Sequence, residues 1–238
     1  MKIRFVIAIV TCFTFTACGQ FTPTQIGQIL GGGNGVLSTD EIARGLKEAL
    51  QVGISNGSAQ ASKVDGYFGN NLIKLAFPPD AQKVENTLRQ IGLGGEVDKF
   101  VVTLNRAAEQ AAIKAKPIFI KAITNMSISD AIGILKGQPN AATQYLRQTT
   151  YNELYNEFAP VMESSLGSTN ATKYYTDLAN SYNKIPLTSQ KLNPDLKKYA
   201  TDKAIDGLFT LVAQEEQKIR ENPAARVSDL LKKVFASN

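Results

Sequence analysis

Apolar residues recur three and four positions apart along most of the chain, which is the spacing of amphipathic helices. The clearest start signal is Ser38–Glu41, where a serine and a glutamate three residues apart predict a capping box. The helix that it opens carries Ile42, Leu46 and Leu50 on one stripe. No alternating strand pattern and no long internal repeat follow. The pattern predicts an all-α fold, with a single compact multi-helix domain over residues 37–238.

Further helices are predicted between glycine and proline breaks. Their predicted ranges are Asp80–Ile91, Glu96–Lys116, Pro117–Met126, Ser127–Gly137, Asn140–Leu166, Asn170–Lys184, Asp195–Glu221 and Arg226–Phe235. Pro160 is expected to kink or divide the helix that contains it. The stretch Asn56–Ala76 is ambiguous, and we expect helical pieces broken by its glycines. A loop is predicted over Pro186–Pro194, and the short connections elsewhere favour one domain over two.

The N-terminus has the pattern of a bacterial lipoprotein signal. A basic segment, Met1–Arg4, precedes the uncharged and mostly apolar stretch Phe5–Ala17. That stretch is shorter than the roughly 20 residues a membrane-spanning helix needs, and is typical of a secretory signal. The sequence FTAC at Phe15–Cys18 resembles a lipobox, in which the signal is cut before a cysteine that is then acylated. We therefore predict a signal peptide over residues 1–17 and lipid attachment at Cys18; the alternative is an ordinary signal peptide with a cysteine near its end.

Residues 18–36 are predicted to be a flexible lipidated tether, because they contain a proline and the run GGGNG at 31–35. A coil of this length spans roughly 25 Å. Gly19 follows the cysteine where an aspartate would favour the inner membrane, so the expected location is the periplasmic face of the outer membrane. The membrane is thus an expected partner through the lipid on Cys18. Cleavage would also remove Cys12, which leaves no pair of thiols for a disulfide.

Composition narrows the possible chemistry. The 238 residues include no histidine and two cysteines, which excludes a Ser-His-Asp triad, a Cys-His nucleophile and the usual zinc sites. No metal and no cofactor are predicted. The formal charge of +5 falls to about +3 without the two basic residues of the signal, which is too little to indicate a nucleic-acid partner.

Several separate segments resemble one known family. They are NRAAEQAA (105–112), PIF (117–119), DAIGILKG (130–137), DKAIDGLFTLVAQEE (202–216), IRENPAAR (219–226) and DLLKKVF (229–235). Their order and spacing are similar to those of the bacterial family catalogued as domain of unknown function 4197, over Leu37–Phe235. The resemblance implies a small helical protein of bacterial envelopes. It supplies no functional residues.

Three charged residues form a candidate buried polar cluster. The predicted helix 96–116 is apolar on two sides, which places Arg106 and Glu109 partly inside, although an ordinary surface pair is the alternative. Glu215 falls within an apolar stripe of the last long helix. A lone buried carboxylate is costly, so Glu215 needs a compensating partner, and Arg106 is the expected one. Glu216 and Arg220 are expected to form an ordinary i,i+4 pair at the edge of the stripe.

The leading functional hypothesis is a non-enzymatic binding or structural protein of the envelope, with a protein, lipid or cell-wall partner. No catalytic residue is assigned. One alternative is an enzyme that uses Glu215, Glu109 or Glu216 as acid or base, with Arg106 or Arg220 stabilising an anion. Another is a carrier of a lipid or other apolar ligand. A cleft with convergent carboxylates would favour the enzyme, and a large apolar cavity would favour the carrier. A filled core with exposed apolar residues would favour the partner-binding role.

Overall fold

The computed structural model describes residues 37–184, 191–226 and 228–236, and it confirms the all-α prediction. No strand occurs in these ranges. The predictions for residues 1–36, namely the signal peptide, Cys18 and the tether, lie outside them, as does part of the predicted loop at 186–194.

The helices are joined by short turns, except after α1 and after α7. They are α1 (Thr39–Ser62), α2 (Gln82–Leu88), α3 (Gly94–Ala112), α4 (Ala115–Asn125), α5 (Ile128–Leu135), α6 (Ala141–Gly167), α7 (Asn170–Asn183), α8 (Leu196–Glu221) and α9 (Asp229–Ala236). Turns of 3₁₀ helix at Pro79–Ala81 and Pro223–Ala225 precede α2 and α9. A π turn, Arg89–Leu93, connects α2 to α3, and within it Gly92 has φ 85°, which suits a residue without Cβ.

Two helix starts follow the predicted capping pattern. Ser38 Oγ accepts the Glu41 N–H at 3.2 Å, and Glu41 Oε2 accepts the Ser38 N–H at 2.8 Å. The hydrogen bonds from Ser38 lower the pKa of Glu41. Ser127 and Asp130 form the same reciprocal arrangement at the start of α5. Both helices therefore begin where short-range sequence signals place them.

Three boundaries differ from the prediction. The helix expected over Glu96–Lys116 ends at Ala112, and α4 begins before Pro117, so this proline lies in a first turn, where its missing N–H costs little. Helix α6 continues past Pro160 without division. The ambiguous stretch Asn56–Ala76 is helical only as far as Ser62, and the rest is irregular.

The core forms where α8 packs against both α1 and α6, and where α6 packs against α3. Gly57 of α1 lies so near α8 that a Cβ there would be 3.7 Å from the Leu211 carbonyl carbon. Phe119 and Phe209 meet edge to face, with ring centroids 5.5 Å apart. Helix α9 packs on the other end of α1, where an added Cβ on Gly45 would be 2.8 Å from Val234 Cγ2. The last two helices of the chain thus cover the first.

Candidate functional site

Residues 63–78, hereafter the anchored segment, follow α1 without forming a helix, and α3 holds them with buried polar side chains. Asn105 is 0% exposed. Its Oδ1 accepts the Leu75 N–H at 2.9 Å, and its Nδ2 donates to the Leu75 carbonyl at 2.8 Å. The side-chain amide of Asn105 therefore takes both backbone groups of Leu75, as a neighbouring strand would.

Glu109 holds the start of the same segment. Its buried carboxylate accepts the backbone N–H groups of Tyr67 at 3.1 Å and Phe68 at 3.2 Å through Oε1. Its Oε2 accepts a hydrogen bond from Arg106 Nη1 at 2.7 Å, and Arg106 Nη2 donates to Asp65 Oδ1 at 2.7 Å. The structure thus brings Arg106 and Glu109 together, and their joint role is to fix the backbone of residues 65–68.

Tyr67 fixes the anchored segment to α8. Its ring is 0% exposed, and its hydroxyl donates to the Ala204 carbonyl at 2.7 Å. Burial, with a smaller contribution from the Glu109 charge, raises the pKa of Tyr67 well above its ordinary value. Gly207 makes this packing possible, since a Cβ there would lie 2.7 Å from Tyr67 Cε1. The segment is therefore clamped between α3 and α8.

A surface cleft of about 380 Å³ runs between the anchored segment and α8, and we call it the α8 cleft. Its walls are residues 72–77 and 79 on one side and Tyr199, Lys203, Asp206, Gly207 and Thr210 on the other. Asp206 accepts a hydrogen bond from Arg147 at 2.8 Å. Two large apolar residues of the anchored segment lie in water, with Leu72 70% exposed and Val64 75% exposed.

Glu216 and Arg220 form a second, structural cluster that joins two helix ends. Glu216 accepts the Ala142 and Thr143 N–H groups at 3.1 and 2.9 Å, and the Thr143 hydroxyl at 2.8 Å. Arg220 donates to Glu216 and, at 2.9 Å, to the Ile134 carbonyl at the end of α5. The Glu216 carboxylate thus lies at the N-terminus of α6, the positive end of its helix dipole. The Arg220 guanidinium lies at the C-terminus of α5, the negative end of its dipole, so both charges are stabilised. The expected i,i+4 pair of Glu216 and Arg220 is confirmed, and little of it reaches solvent, with the Glu216 side chain 4% and the Arg220 side chain 17% exposed.

Glu215 is buried, but its partners are not those expected. Asn56 Nδ2 donates to Glu215 Oε2 at 3.1 Å, and Lys218 Nζ donates to Oε1. The predicted pairing with Arg106 is wrong, because Arg106 bonds to Glu109 and Asp65 instead. The compensating cation comes from the next turn of the same helix, and the Lys218 side chain is 58% exposed.

A comparison with family models decides what the chain is related to. One model matches residues 36–236, which is most of the chain, and its description reads "Protein of unknown function (DUF4197)". The chain belongs to the DUF4197 family. No curated protein and no solved structure matches it. The DUF4197 match confirms the resemblance noted in the sequence and includes both charged clusters and the α8 cleft, whereas Cys18 precedes it.

In this DUF4197 domain, Glu215 and Arg106 share no partner, so we expect their substitutions to act independently. Arg106→Met and Glu215→Met should show a coupling below about 0.5 kcal/mol in a double-mutant cycle. Glu215→Gln alone should lower the free energy of unfolding by about 1 kcal/mol or less. The partners of Glu215 are the largely exposed Lys218 and the neutral Asn56, so the substitution leaves no buried charge unpaired. Urea unfolding of the four proteins measures the coupling, and a value above about 1 kcal/mol would contradict the arrangement.

Sequence reasoning missed Asn105 and underestimated Glu216. Asn105 stands next to Leu104, which is buried, in a helix that is apolar on two sides. A polar residue in that position is a usable signal for a buried hydrogen-bonding role. For Glu216, the arginine one turn later was visible, but nothing local indicated that a helix start would lie against the carboxylate.

The described parts of the DUF4197 domain contain no group of three or more His, Cys, Asp or Glu residues that could hold a metal ion. Within the same parts, no single helix is long and apolar enough to cross a membrane. The pair α4 and α5 passes that test by length and composition, with a bend of 104° between the two helices.

Proposed function

We propose that this protein is a lipid-anchored component of the bacterial cell envelope that binds a protein partner at the anchored segment and the α8 cleft. The basic start, short apolar stretch and FTAC sequence before residue 19 support the anchor at Cys18. The periplasmic face of the outer membrane is the proposed location. The binding role rests on the geometry of residues 63–78.

One observation carries the binding role: a non-helical segment is fixed by buried polar side chains and yet keeps large apolar side chains in water. Leu72 and Val64 are mostly exposed, although Asn105 and Glu109 hold their segment in place. Burying a leucine side chain stabilises a protein by roughly 2 kcal/mol, which this segment forgoes. A partner that covers these residues recovers that energy, and binding residues are commonly presented on a loop positioned by a rigid scaffold.

The geometry gives less support to the enzyme and carrier alternatives. Glu109 Oε1 and both oxygens of Glu216 accept backbone N–H groups, and Glu109 Oε2 accepts from Arg106, so these carboxylates are committed to structure. The two apolar voids beside Glu216 hold about 10 Å³ each, whereas ligand pockets measure roughly 300–1,000 Å³. The larger α8 cleft is open, and polar groups line part of it.

Cys18→Ser is expected to abolish the membrane anchoring of the chain. Serine lacks the thiol that forms the thioether to the lipid, so the variant should fail to incorporate labelled palmitate and should retain its signal peptide. Metabolic labelling, detergent partitioning and mass spectrometry measure these outcomes. A variant that still incorporates palmitate and migrates like the parent would contradict the anchor.

A photo-crosslinking amino acid in place of Leu72 is expected to join the full chain to a protein partner in irradiated cells. The matched control is the same amino acid at Ile128, an exposed isoleucine at the start of α5. Adducts of discrete mass should form from position 72 and not from position 128, and Lys203→Glu should reduce them. Equal labelling from both positions, or none from position 72, refutes this surface as the binding site.

A further inference from the structure

Residues 74–76 of the anchored segment lie between a turn at residues 71–73 and a bend at Phe77, and side chains alternate between the interior and solvent from residue 73 to residue 77. The Lys74 N–H closes the turn by donating to the Asn70 carbonyl at 2.9 Å. Ile73, Leu75 and Phe77 are buried, whereas Lys74 and Ala76 are exposed. A period of two is the pattern of a β-strand. The segment therefore has the side-chain arrangement of a strand, although no second strand lies beside it in the described residues.

One edge of this strand-like stretch is covered, and the other faces the α8 cleft. Asn105 occupies both backbone groups of Leu75. Successive residues of an extended chain direct their backbone groups to opposite edges. Because those of Leu75 face Asn105, those of Ala76 face away from it. Tyr199 lies where the chain bends at Phe77, and its hydroxyl donates to the Ala76 carbonyl at 3.3 Å and to the Phe77 carbonyl at 3.4 Å. Within the described ranges, the Ala76 N–H makes no hydrogen bond and is open to a ligand in the cleft.

The charges that line the cleft favour an acidic ligand. Lys203 forms no ion pair with any described residue. Lys74 Nζ lies 4.0 Å from the ring centroid of Phe68, and no described carboxylate lies within ion-pair distance of it. The only acid among the lining residues described is Asp206, and Arg147 is bound to it. Two cations are thus left to meet a ligand, beside the exposed Leu72.

We propose that the α8 cleft binds an extended, acidic segment of a partner protein by β-strand addition along residues 74–76. The partner's backbone accepts from the Ala76 N–H and donates to the Lys74 carbonyl, which accepts no hydrogen bond from the described residues. Its acidic side chains meet Lys74 and Lys203, and an apolar side chain covers Leu72. This inference rests on the proposed function and names the class of partner. Such a peptide carries carboxylates at every second residue along a backbone that can form hydrogen bonds. A small free anion has no such backbone.

The test measures fluorescence anisotropy of a labelled peptide of alternating valine and glutamate, about seven residues long to match residues 72–78. The protein is the full chain, purified in a neutral detergent. Lys203→Glu and Lys74→Glu should each weaken binding by about tenfold or more, since they place like charges together. Lys136→Glu, on the exposed end of α5, is the matched control and should leave binding unchanged. A peptide with lysine in place of glutamate should not bind.

A peptide of the same sequence with N-methylated backbone separates strand addition from charge attraction, and it needs no variant of the protein. N-methylation should weaken binding by about tenfold, the equivalent of one lost hydrogen bond or two. Ala76→Pro should do the same without lowering the melting temperature, because the N–H that it removes has no partner in the described structure.

Equal affinity for the methylated and unmethylated peptides overturns strand addition. If the acidic peptide does not bind, and Lys203→Glu weakens binding of the protein to phosphatidylglycerol vesicles compared with neutral vesicles, the cleft meets a membrane surface and the peptide ligand is overturned. If the peptide fails but position 72 still crosslinks to a protein in cells, only this inference falls. If both fail, the proposed function falls with it.

Discussion

Replacing Glu216 with glutamine is expected to lower the free energy of unfolding by about 3–5 kcal/mol. The substitution leaves the Arg220 guanidinium buried without its counter-charge and turns an amide NH₂ toward the donors that the carboxylate now satisfies. The N–H groups at the start of α6 lose an acceptor at the same time. Urea or thermal unfolding of the purified protein measures the loss.

Glu221→Gln is the matched control, because it changes an exposed glutamate on the same helix. Its effect should stay within about 0.5 kcal/mol. If Glu216→Gln is as mild as this control, the Glu216–Arg220 cluster does not stabilise the domain. A second check adds Arg220→Met to Glu216→Gln, which removes the uncompensated guanidinium and should recover the part of the loss that this charge causes.

Asn105→Leu is expected to destabilise the domain by about 3 kcal/mol, although the two side chains have the same number and branching of heavy atoms. The change leaves the Leu75 N–H and carbonyl buried without partners, and each such group costs about 1–3 kcal/mol. Hydrogen exchange should also show that the Leu75 amide has lost protection. The anchored segment should therefore loosen before the helices unfold.

Asn152→Leu, at an exposed position of α6, controls for the greater hydrophobicity of leucine. It should leave both stability and the exchange of Leu75 almost unchanged. An Asn105→Leu variant with parental stability and a protected Leu75 amide would show that the segment is held by its apolar side chains alone, and the rigid-scaffold argument would fail.

The helices were predictable from sequence wherever the deciding signal is local. The capping residues Ser38 and Ser127 find their partners three residues away, so the pattern contains the whole interaction. Glycines also marked the break between α2 and α3, where Gly92 has a positive φ. The burial of Glu215 followed from its position on a helical wheel, which needs only the identity of nearby residues, whereas a surface position remained the alternative for Glu109.

The partners of the buried polar groups were not predictable, because they are distant in sequence. Glu109 bonds to backbone N–H groups some forty positions earlier, and Glu216 bonds to a helix start more than seventy positions earlier. A helical wheel gives the side on which a residue lies but not its height along the neighbouring helix. The wheel therefore could not exclude a pairing of Arg106 with Glu215, and it could not show that Glu216 would meet the start of α6.

The packing of the first helix against the last two has a consequence for the order of folding. The buried face of α1 is covered by α8 and α9, which begin at Leu196 and Asp229, near the other end of the chain. While the chain is being made, α3, α4 and α5 can pack on parts of α1, but the part of α1 that meets α8 and α9 stays uncovered until those helices follow. Joining residues so far apart in sequence costs conformational entropy before the new contacts stabilise the fold. That part of α1 therefore needs shielding from other chains until α8 and α9 have been made.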